Sequence, residues 1–555
     1  MADNFNYGNR SPLARVVETL SLERTDIRLL LVLITGVGLL NLAVPVAVQA
    51  LINTVTMGGL LKPLAVISIM LLMFLVLAGT LYLLEMYVVE MIQRRLLVRT
   101  ALDAAVKAQS AEITIYDQTN MAEIMNRFFS VISVQKSAAT LLTTGISSLL
   151  HGVIGSLILV FYSVYFGIVV AVIFMILAVI VFVIGRRAEP TAIDESQAKY
   201  DLAAWLETIA SNLNTFKFTA GLDLARRRID ALATNFLIKR TEHFRILVSQ
   251  YIGGILLYAL GGTSMLALGG MLVIQGSINL GQFVAAEIII FTVLASFLRL
   301  IGQLEYFYDL LASMDKLGVL QDLPQERRGA GTISVNQPIG LAVHDLAYDY
   351  LSNTIRQSGI SFQVAPGGRL AILGSSGSGK SNLAELLTGL RQPVSGRVEY
   401  NGIDLRLLDL QEIRRHIGFV GANETFEDSV FENVRVGRVN ITVEQVSRML
   451  SQLGLLDAIA RLDQGLDTKL TASGAPLSSS ETRLLMIGRA LIARPALLII
   501  DSLLDPLGEE DRKRAFDVIL QHAECTLVLF TRIPEIAAQC DQVLHLSVHP
   551  VHHED

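Results

Sequence analysis

The sequence predicts two domains on one chain: an all-α transmembrane domain of six spans with long cytoplasmic helical extensions, then a C-terminal α/β domain built around a phosphate-binding loop. Three observations predict this. Six apolar stretches long enough to cross about 30 Å of hydrocarbon precede residue 310, and none follows it. Positive residues gather in two long connections between those stretches. A complete G-x-x-x-x-G-K-S run begins at Gly374. Composition agrees. The 555 residues are 52% hydrophobic and 17% charged, tilted toward lipid against an average near 25% charged. Mean hydropathy is +0.51. These values exclude disorder and a purely soluble enzyme. A net charge of −6 argues against nucleic acid as a partner. Cys525 and Cys540 offer neither a disulfide framework nor metal-ligand spacing, which suits a reducing cytoplasm. The polar first 28 residues and the long first apolar run do not read as a cleavable signal.

The spans are expected near Leu29–Leu51, Leu64–Val88, Ala139–Phe161, Tyr165–Gly185, Tyr251–Ile274 and Gly281–Gln303. Short loops within the three successive pairs carry one positive residue, Lys62. The connection after span two carries Arg94, Arg95, Arg99, Lys107, Arg127 and Lys136; that after span four carries ten Lys or Arg, including Arg186, Arg187 and Arg226–Arg228. The positive-inside rule therefore places both connections and both termini in the cytoplasm, in a multi-pass protein of the inner (plasma) membrane. Both connections are rich in helix formers. As helical hairpins they would reach roughly 35 Å below the bilayer, with tips near Tyr116–Arg127 and Lys199–Ile209. They read as levers toward a cytoplasmic domain, or simply as solvated hairpins.

The expected boundaries are a cytoplasmic segment 1–28, a membrane domain 29–318, a linker 319–340, an α/β domain 341–547 and a tail 548–555. The linker is polar and punctuated by Pro324, Gly329 and Gly331. Beyond it, Arg369–Gly374 and Ala496–Asp501 read as buried parallel strands, joined by Cys525–Phe530 and Gln542–Leu546. The first of these strands runs into Gly374, Ser375, Ser376, Gly377, Ser378, Gly379, Lys380 and Ser381, and a helix is expected over Asn382–Leu390. Strand, glycine-rich loop and helix N-terminus form the context in which backbone N–H groups close on phosphates. Lys380 adds a mobile positive charge, and the Ser381 hydroxyl can hold Mg²⁺.

This arrangement resembles the ABC transporter family, in its exporter-type half-transporter form, over nearly the whole chain. The resemblance implies ATP and Mg²⁺ as cofactors and makes Gly374–Ser381 and Asn382 nucleotide-binding. It makes Tyr350, 24 residues before Gly374, the adenine-stacking residue, with Tyr348 as the next choice and a buried strand tyrosine as the bland alternative. Asp501 matches the carboxylate that organises Mg²⁺. Gly465–Ser478 followed by Arg489-Ala490-Leu491 and Arg494-Pro495 matches the order around the family's signature helix.

Departures from the family pattern carry as much information. Ser502 stands where a glutamate polarises the attacking water, and a serine hydroxyl is no base at pH 7. Ala422 stands at the glutamine that couples phosphate and Mg²⁺ to the membrane levers, unless a one-residue deletion gives that place to Asn423. Thr531 replaces the switch histidine. The signature LSGGQ reads Leu477, Ser478, Ser479, Ser480, Glu481, adding side chains and a negative charge where backbone approaches phosphate. The SALD tetrad reads Asp505-Pro506-Leu507-Gly508. A positioned base is worth about 10²–10⁴ in rate. The expectation is a chain that binds Mg–ATP and hydrolyses it slowly or not at all.

Because the family builds each site from two chains, a dimer through both domains is expected, a heterodimer in preference to a homodimer. Two classes of function follow: an exporter subunit needing a competent partner, or a non-hydrolytic ATP-binding subunit that regulates or scaffolds. Glu195–Glu207 and Ile278–Gln282 look like the membrane domains of type I secretion ATPases, which brings a periplasmic adaptor into consideration. Within the spans, glycine pairs at 253/254, 261/262 and 269/270 form a stripe read as close helix packing. Glu287 is costly in lipid; a buried partner, a neutral form and a transport role all fit it. His151 is either its partner or an ordinary packed imidazole.

Overall fold

The structure, a computed structural model, describes residues 10–56, 61–118, 121–218, 221–327, 329, 331–332, 338–349, 356–421, 424–522 and 524–547. It divides into two compact units, residues 1–111 with 115–325 and residues 326–555 with 112–114.

In the first unit, six helices among the described residues are long and apolar enough to cross a membrane. They are Arg24–Val55, Lys62–Gln109, Glu123–Tyr162, Val164–Ser211, Gly221–Ile274 and Leu280–Gln321. Each contains one of the expected apolar stretches. The 54 residues of the fifth measure about 81 Å at 1.5 Å per residue, well beyond the hydrocarbon thickness. The first breaks at Leu42 because Pro45 has no N–H for the Asn41 carbonyl. The fourth passes through a π segment, Val179–Val183, and a 3₁₀ turn, Ile184–Arg187, just before Pro190.

The first hairpin turns where expected, through short helices Ile113–Gln118 and Met121–Asn126. The second does not. Its descending helix, Ala188–Ser211, runs straight through Lys199–Ile209, because Ala203, Ala204, Leu206 and Glu207 all favour helix. The turn comes at Asn212, with Phe218 extended ahead of Gly221.

A further helix, Pro12–Ser21, precedes the spans. Ser11 Oγ accepts from Ala14 N, and Pro12 occupies the first turn, where its missing N–H costs nothing. Its Arg15 is buried, pairs with Asp322 and lies on Gly318, where a Cβ would come within 2.6 Å of the guanidinium carbon. Buried Glu23 is held by Arg95 and Arg99, both at 3.0 Å.

The glycine stripe of the fifth helix packs against the sixth. A Cβ at Gly254 would meet Ile301 at 2.8 Å, at Gly261 Leu294 at 2.9 Å, at Gly262 Phe291 at 2.7 Å and at Gly269 Phe283 at 2.7 Å. Gly152 and Gly155 of the third helix make room in the same way for Phe297 and Val293.

The second unit holds two sheets. Antiparallel strands β1 (Leu341–Asp349), β2 (Arg356–Val364), β4 (Ser395–Tyr400) and β5 (Ile403–Asp404) run in the order β2-β1-β4-β5. A parallel sheet combines β3 (Arg369–Leu373), β6 (Ile417–Val420), β7 (Leu497–Asp501), β8 (Thr526–Thr531) and β9 (Gln542–His545) in the order β6-β7-β8-β3-β9. Leu497–Ile500 and Leu527–Phe530 are wholly buried, as strands covered on both faces must be. The packing helices include Lys380–Leu387, Ser479–Ile492 and Glu509–His522.

The glycine contacts predict opposite outcomes for one chemical change. At Gly152 an added Cβ would stand 2.3 Å from the buried ring of Phe297, whereas at exposed Gly79 it meets nothing within 4 Å. Gly152→Ala is expected to destabilise the chain by about 1–3 kcal/mol through overpacking. Gly79→Ala is expected to be neutral or stabilising by up to about 1 kcal/mol through helix propensity. Melting temperatures in lipid nanodiscs read both; equal effects would overturn the packing described for the third and sixth helices.

Candidate functional site: the C-terminal edge of the parallel sheet

The phosphate-type loop follows β3 as the sequence predicts. Gly377 (φ +79°) and Gly379 (φ +88°) hold left-handed conformations that turn the chain into the helix Lys380–Leu387. Lys380 Nζ donates to the carbonyls of Gly374 and Ser375, both at 2.7 Å. Burial pushes its pKa below the ordinary lysine value, Asp501 and Asp505 oppose that shift, and Arg532 adds to it. Ser375, Ser376, Gly377 and Ser381 lie exposed at the rim with half-buried Asn382 beside them. Ser378 is 1% exposed, and its Oγ has no partner among the described residues. A loop with a cation folded into it, an orphaned buried hydroxyl and a helix N-terminus fits a polyphosphate.

Two side chains brace this loop from below. Tyr348 Oη donates to the Gly379 carbonyl at 3.0 Å, and burial raises its pKa. Gln357 Nε2 donates to the carbonyls of Ser378 (3.2 Å) and Ser547 (2.6 Å). Tyr348 is thus a buried strand tyrosine with its hydroxyl engaged, leaving no face for a base. Tyr350, Ala422 and Asn423 lie outside the described residues.

Parallel register brings the other loops to the same edge. Leu373 pairs with Thr531, and Asp501 with Phe530. Gly374 N donates to the Thr531 carbonyl at 3.3 Å, and Ser502 N to the Phe530 carbonyl at 3.0 Å. Ser502 sits at φ +55°, and its Oγ donates to Asp501 Oδ1 at 3.1 Å. Thr531 Oγ1 donates to Asp505 Oδ1 at 2.5 Å. Arg532 N and Nε donate to Asp505 Oδ2 at 3.1 and 3.2 Å. Asp505 entered the sequence reading only as an altered tetrad residue. Its partners are 26 and 27 positions away, so no local pattern announces them.

At the signature segment, Ser478 caps the helix Ser479–Ile492. Its Oγ accepts from Glu481 N at 3.3 Å, while Glu481 Oε2 accepts from Ser478 N at 2.8 Å, a capping box. The carboxylate of Glu481 therefore occupies the positive end of its own helix. Arg483 Nη1 donates to Ser479 Oγ at 2.7 Å. Buried Arg489 ties the same helix to the carbonyls of Asn433 (2.6 Å) and Glu424 (2.7 Å).

In the first unit, His151 is not the partner of Glu287. Its Nδ1 lies 2.7 Å from the Ser147 carbonyl and its Nε2 3.1 Å from Asn41 Nδ2. Glu287 Oε1 is buried beside Phe283 and Gly269, with no hydrogen-bond partner among the described residues. No group of three or more metal-ligating side chains occurs among the described residues.

Comparison with known proteins places these features. Residues 27–297 match the family model for the ABC transporter transmembrane region, and residues 357–504 match that for the ABC transporter itself. An uncharacterized ABC transporter ATP-binding protein of Bacillus subtilis, YfiC, is 24% identical over 458 residues, 78% of this chain and 73% of that protein. The mitochondrial iron-sulfur clusters transporter ABCB7 of Oryzias latipes is 30% identical over 215 residues, 38% of this chain and 29% of its own length. The alpha-hemolysin translocation ATP-binding protein HlyB of Escherichia coli O157:H7 is 29% identical over 245 residues, 44% of this chain and 35% of its own length. The ABCB7 proteins of medaka, zebrafish and rat are matched over 29%, 42% and 46% of their lengths, always less than half. A solved bacterial Atm1-family ABC exporter with ATP bound shares the fold, with a TM-score of 0.80 and 19% identity over 98% of this chain and 95% of that one. With a six-helix transmembrane region and a single nucleotide-binding domain on one polypeptide, the chain belongs to the ABC transporter family.

Proposed function

We propose that the chain is one half of an ABC-type exporter that binds Mg–ATP but hydrolyses it slowly or not at all. The observation that carries this reading is the pairing at the Walker B edge. Ser502 spends its hydroxyl on Asp501, and Thr531 spends its own on Asp505. Neither is a base at neutral pH.

In this reading Gly374–Ser381 and Asn382 hold the phosphates and Lys380 neutralises them. Ser381 and Asp501 hold Mg²⁺, and Tyr350 stacks on adenine. The metal would polarise the phosphoryl oxygens; the chain supplies no group positioned to activate water, and Ala422 provides no coupling amide. Residues 29–318 form the membrane domain and 341–547 the nucleotide-binding domain, joined by 319–340. The protein sits in the inner membrane with both termini in the cytoplasm and moves substrate outward.

It works as a dimer, with a heterodimer favoured. A partner with an intact Walker B glutamate would turn over at the site completed by Ser478–Glu481. The likeness to HlyB supports a periplasmic adaptor as a further partner. A second reading, a regulatory or scaffolding subunit that senses ATP without hydrolysing it, draws on the Glu481 capping box, which fills the helix terminus that would meet a phosphate.

Steady-state phosphate release by the full chain in nanodiscs tests the proposal. Turnover is expected to match that of Lys380→Ala, while ATP binding is lost in that variant alone. Turnover that vanishes in Lys380→Ala would reject the degenerate site. For the signature, Glu481→Gln keeps both capping hydrogen bonds and removes the charge. It is expected to tighten ATP binding to the dimeric chain by a factor of about 3 at low salt, a difference that disappears at high ionic strength. A salt-independent change, or none, would remove Glu481 from the account.

A further inference from the structure

Asp505 stands out in the second unit because its environment is built for one purpose. Its side chain is 2% exposed, and its two oxygens take three donors from consecutive residues of one loop: Thr531 Oγ1, Arg532 N and Arg532 Nε. A buried carboxylate is retained when its charge is met, and here the meeting charge is the Arg532 guanidinium. That guanidinium is committed only through Nε. The Arg532 side chain is 53% exposed, and its terminal Nη nitrogens have no partner among the described residues.

The free fork is also well placed. The Thr531 carbonyl accepts from Gly374 N, the first residue of the phosphate loop, so Arg532 follows the residue that touches that loop. The guanidinium is close enough to Lys380 to help lower its pKa, opposing the effect of Asp501 and Asp505. A planar fork anchored at one nitrogen is pre-organised for phosphate oxygens in a way that a freely rotating side chain is not.

We propose that Asp505 is a positioning residue that holds the Arg532 guanidinium beside the phosphate loop, and that the free Arg532 fork reads the terminal phosphate of ATP where the family uses the switch histidine. The pair sets a preference for ATP over ADP without adding a base, which suits a domain that binds ATP and keeps it. This rests on the reading of the domain as an ATP-binding, hydrolysis-poor cassette. Asp505 takes no part in catalysis; it acts through Arg532.

The test measures affinities for ATP and for ADP separately, by displacement of a fluorescent nucleotide from the full chain in nanodiscs. The readout is their ratio, which does not depend on the fraction of protein folded. Arg532→Gln is expected to weaken ATP by about tenfold or more, with ADP little changed. Arg532→Lys keeps the charge but lacks the anchored fork and recovers only part of the preference. Asp505→Asn keeps an acceptor for Thr531 and the Arg532 backbone, loses the charge that fixes Nε, and reduces the ratio toward the Arg532→Gln value. Equal weakening of ATP and ADP in Arg532→Gln, or no weakening, overturns the assignment of Arg532. An unchanged ratio in Asp505→Asn overturns the positioning role. Wild-type chain that binds ATP no better than Lys380→Ala overturns the cassette reading itself, and this inference with it.

Discussion

The register of three parallel strands governs the nucleotide-binding unit. β3 lies between β8 and β9, and β8 between β7 and β3. The pairings Leu373 with Thr531 and Asp501 with Phe530 therefore end three strands at one level. Strand interiors without a polar atom, such as Leu497–Ile500 and Leu527–Phe530, are stable only when covered on both faces, which forces loops to the strand ends. The loops after β3, β7 and β8 lie more than a hundred residues apart in sequence at the extremes and meet at one edge. Gly374, Ser502 and Thr531 are in backbone contact there through two hydrogen bonds that extend the ladder. A slip of one residue in this register would invert every side chain and dissolve the site.

The membrane unit depends on a different economy. Between lipid-soluble helices there is little hydrophobic driving force, so association comes from close van der Waals packing at small residues. Gly254, Gly261, Gly262 and Gly269 of the fifth helix, with Gly152 and Gly155 of the third, let the sixth helix approach with Ile301, Leu294, Phe291, Phe283, Phe297 and Val293 filling the space. The sixth helix is accordingly the most buried of the set. Glu287 sits inside this packed pair, one oxygen enclosed beside Gly269.

Much of this was legible from residues alone, where the signal was periodic or local. Apolar length gave six helices, and short runs such as RLAIL and LLIID marked four strands of the parallel sheet. The phosphate loop announced itself through glycines at the turns and lysine at the helix start. What escaped depends on partners far away in sequence. The antiparallel strands β1, β2, β4 and β5 are mixed in composition, with bulges near Leu346 that break alternation. The second hairpin tip was misplaced because analogy with the first overrode the helix propensity of residues 199–209. The helix Pro12–Ser21 had a readable start, Ser11-Pro12, in a segment taken only as polar. The roles of Tyr348 and Asp505 needed coordinates, since each is defined by a hydrogen bond spanning 26 to 31 residues.

One pattern joins the departures from the family sequence. They are substitutions toward side chains that bond within their own domain. Ser502 turns to Asp501, Thr531 to Asp505, and Glu481 to the N-terminus of its own helix. A hydroxyl or carboxylate satisfied internally is rigid and inexpensive to bury, but it no longer presents a proton acceptor or an open helix end to a ligand. The donors left uncommitted are those that bind anions: the backbone of Gly374–Ser381, the Lys380 ammonium and the Arg532 fork. An edge with its acceptors engaged and its cations available has the electrostatics of a binding site for a polyphosphate rather than of a site that activates water. That division, cations kept and bases withdrawn, is why nucleotide retention fits this chain better than rapid turnover.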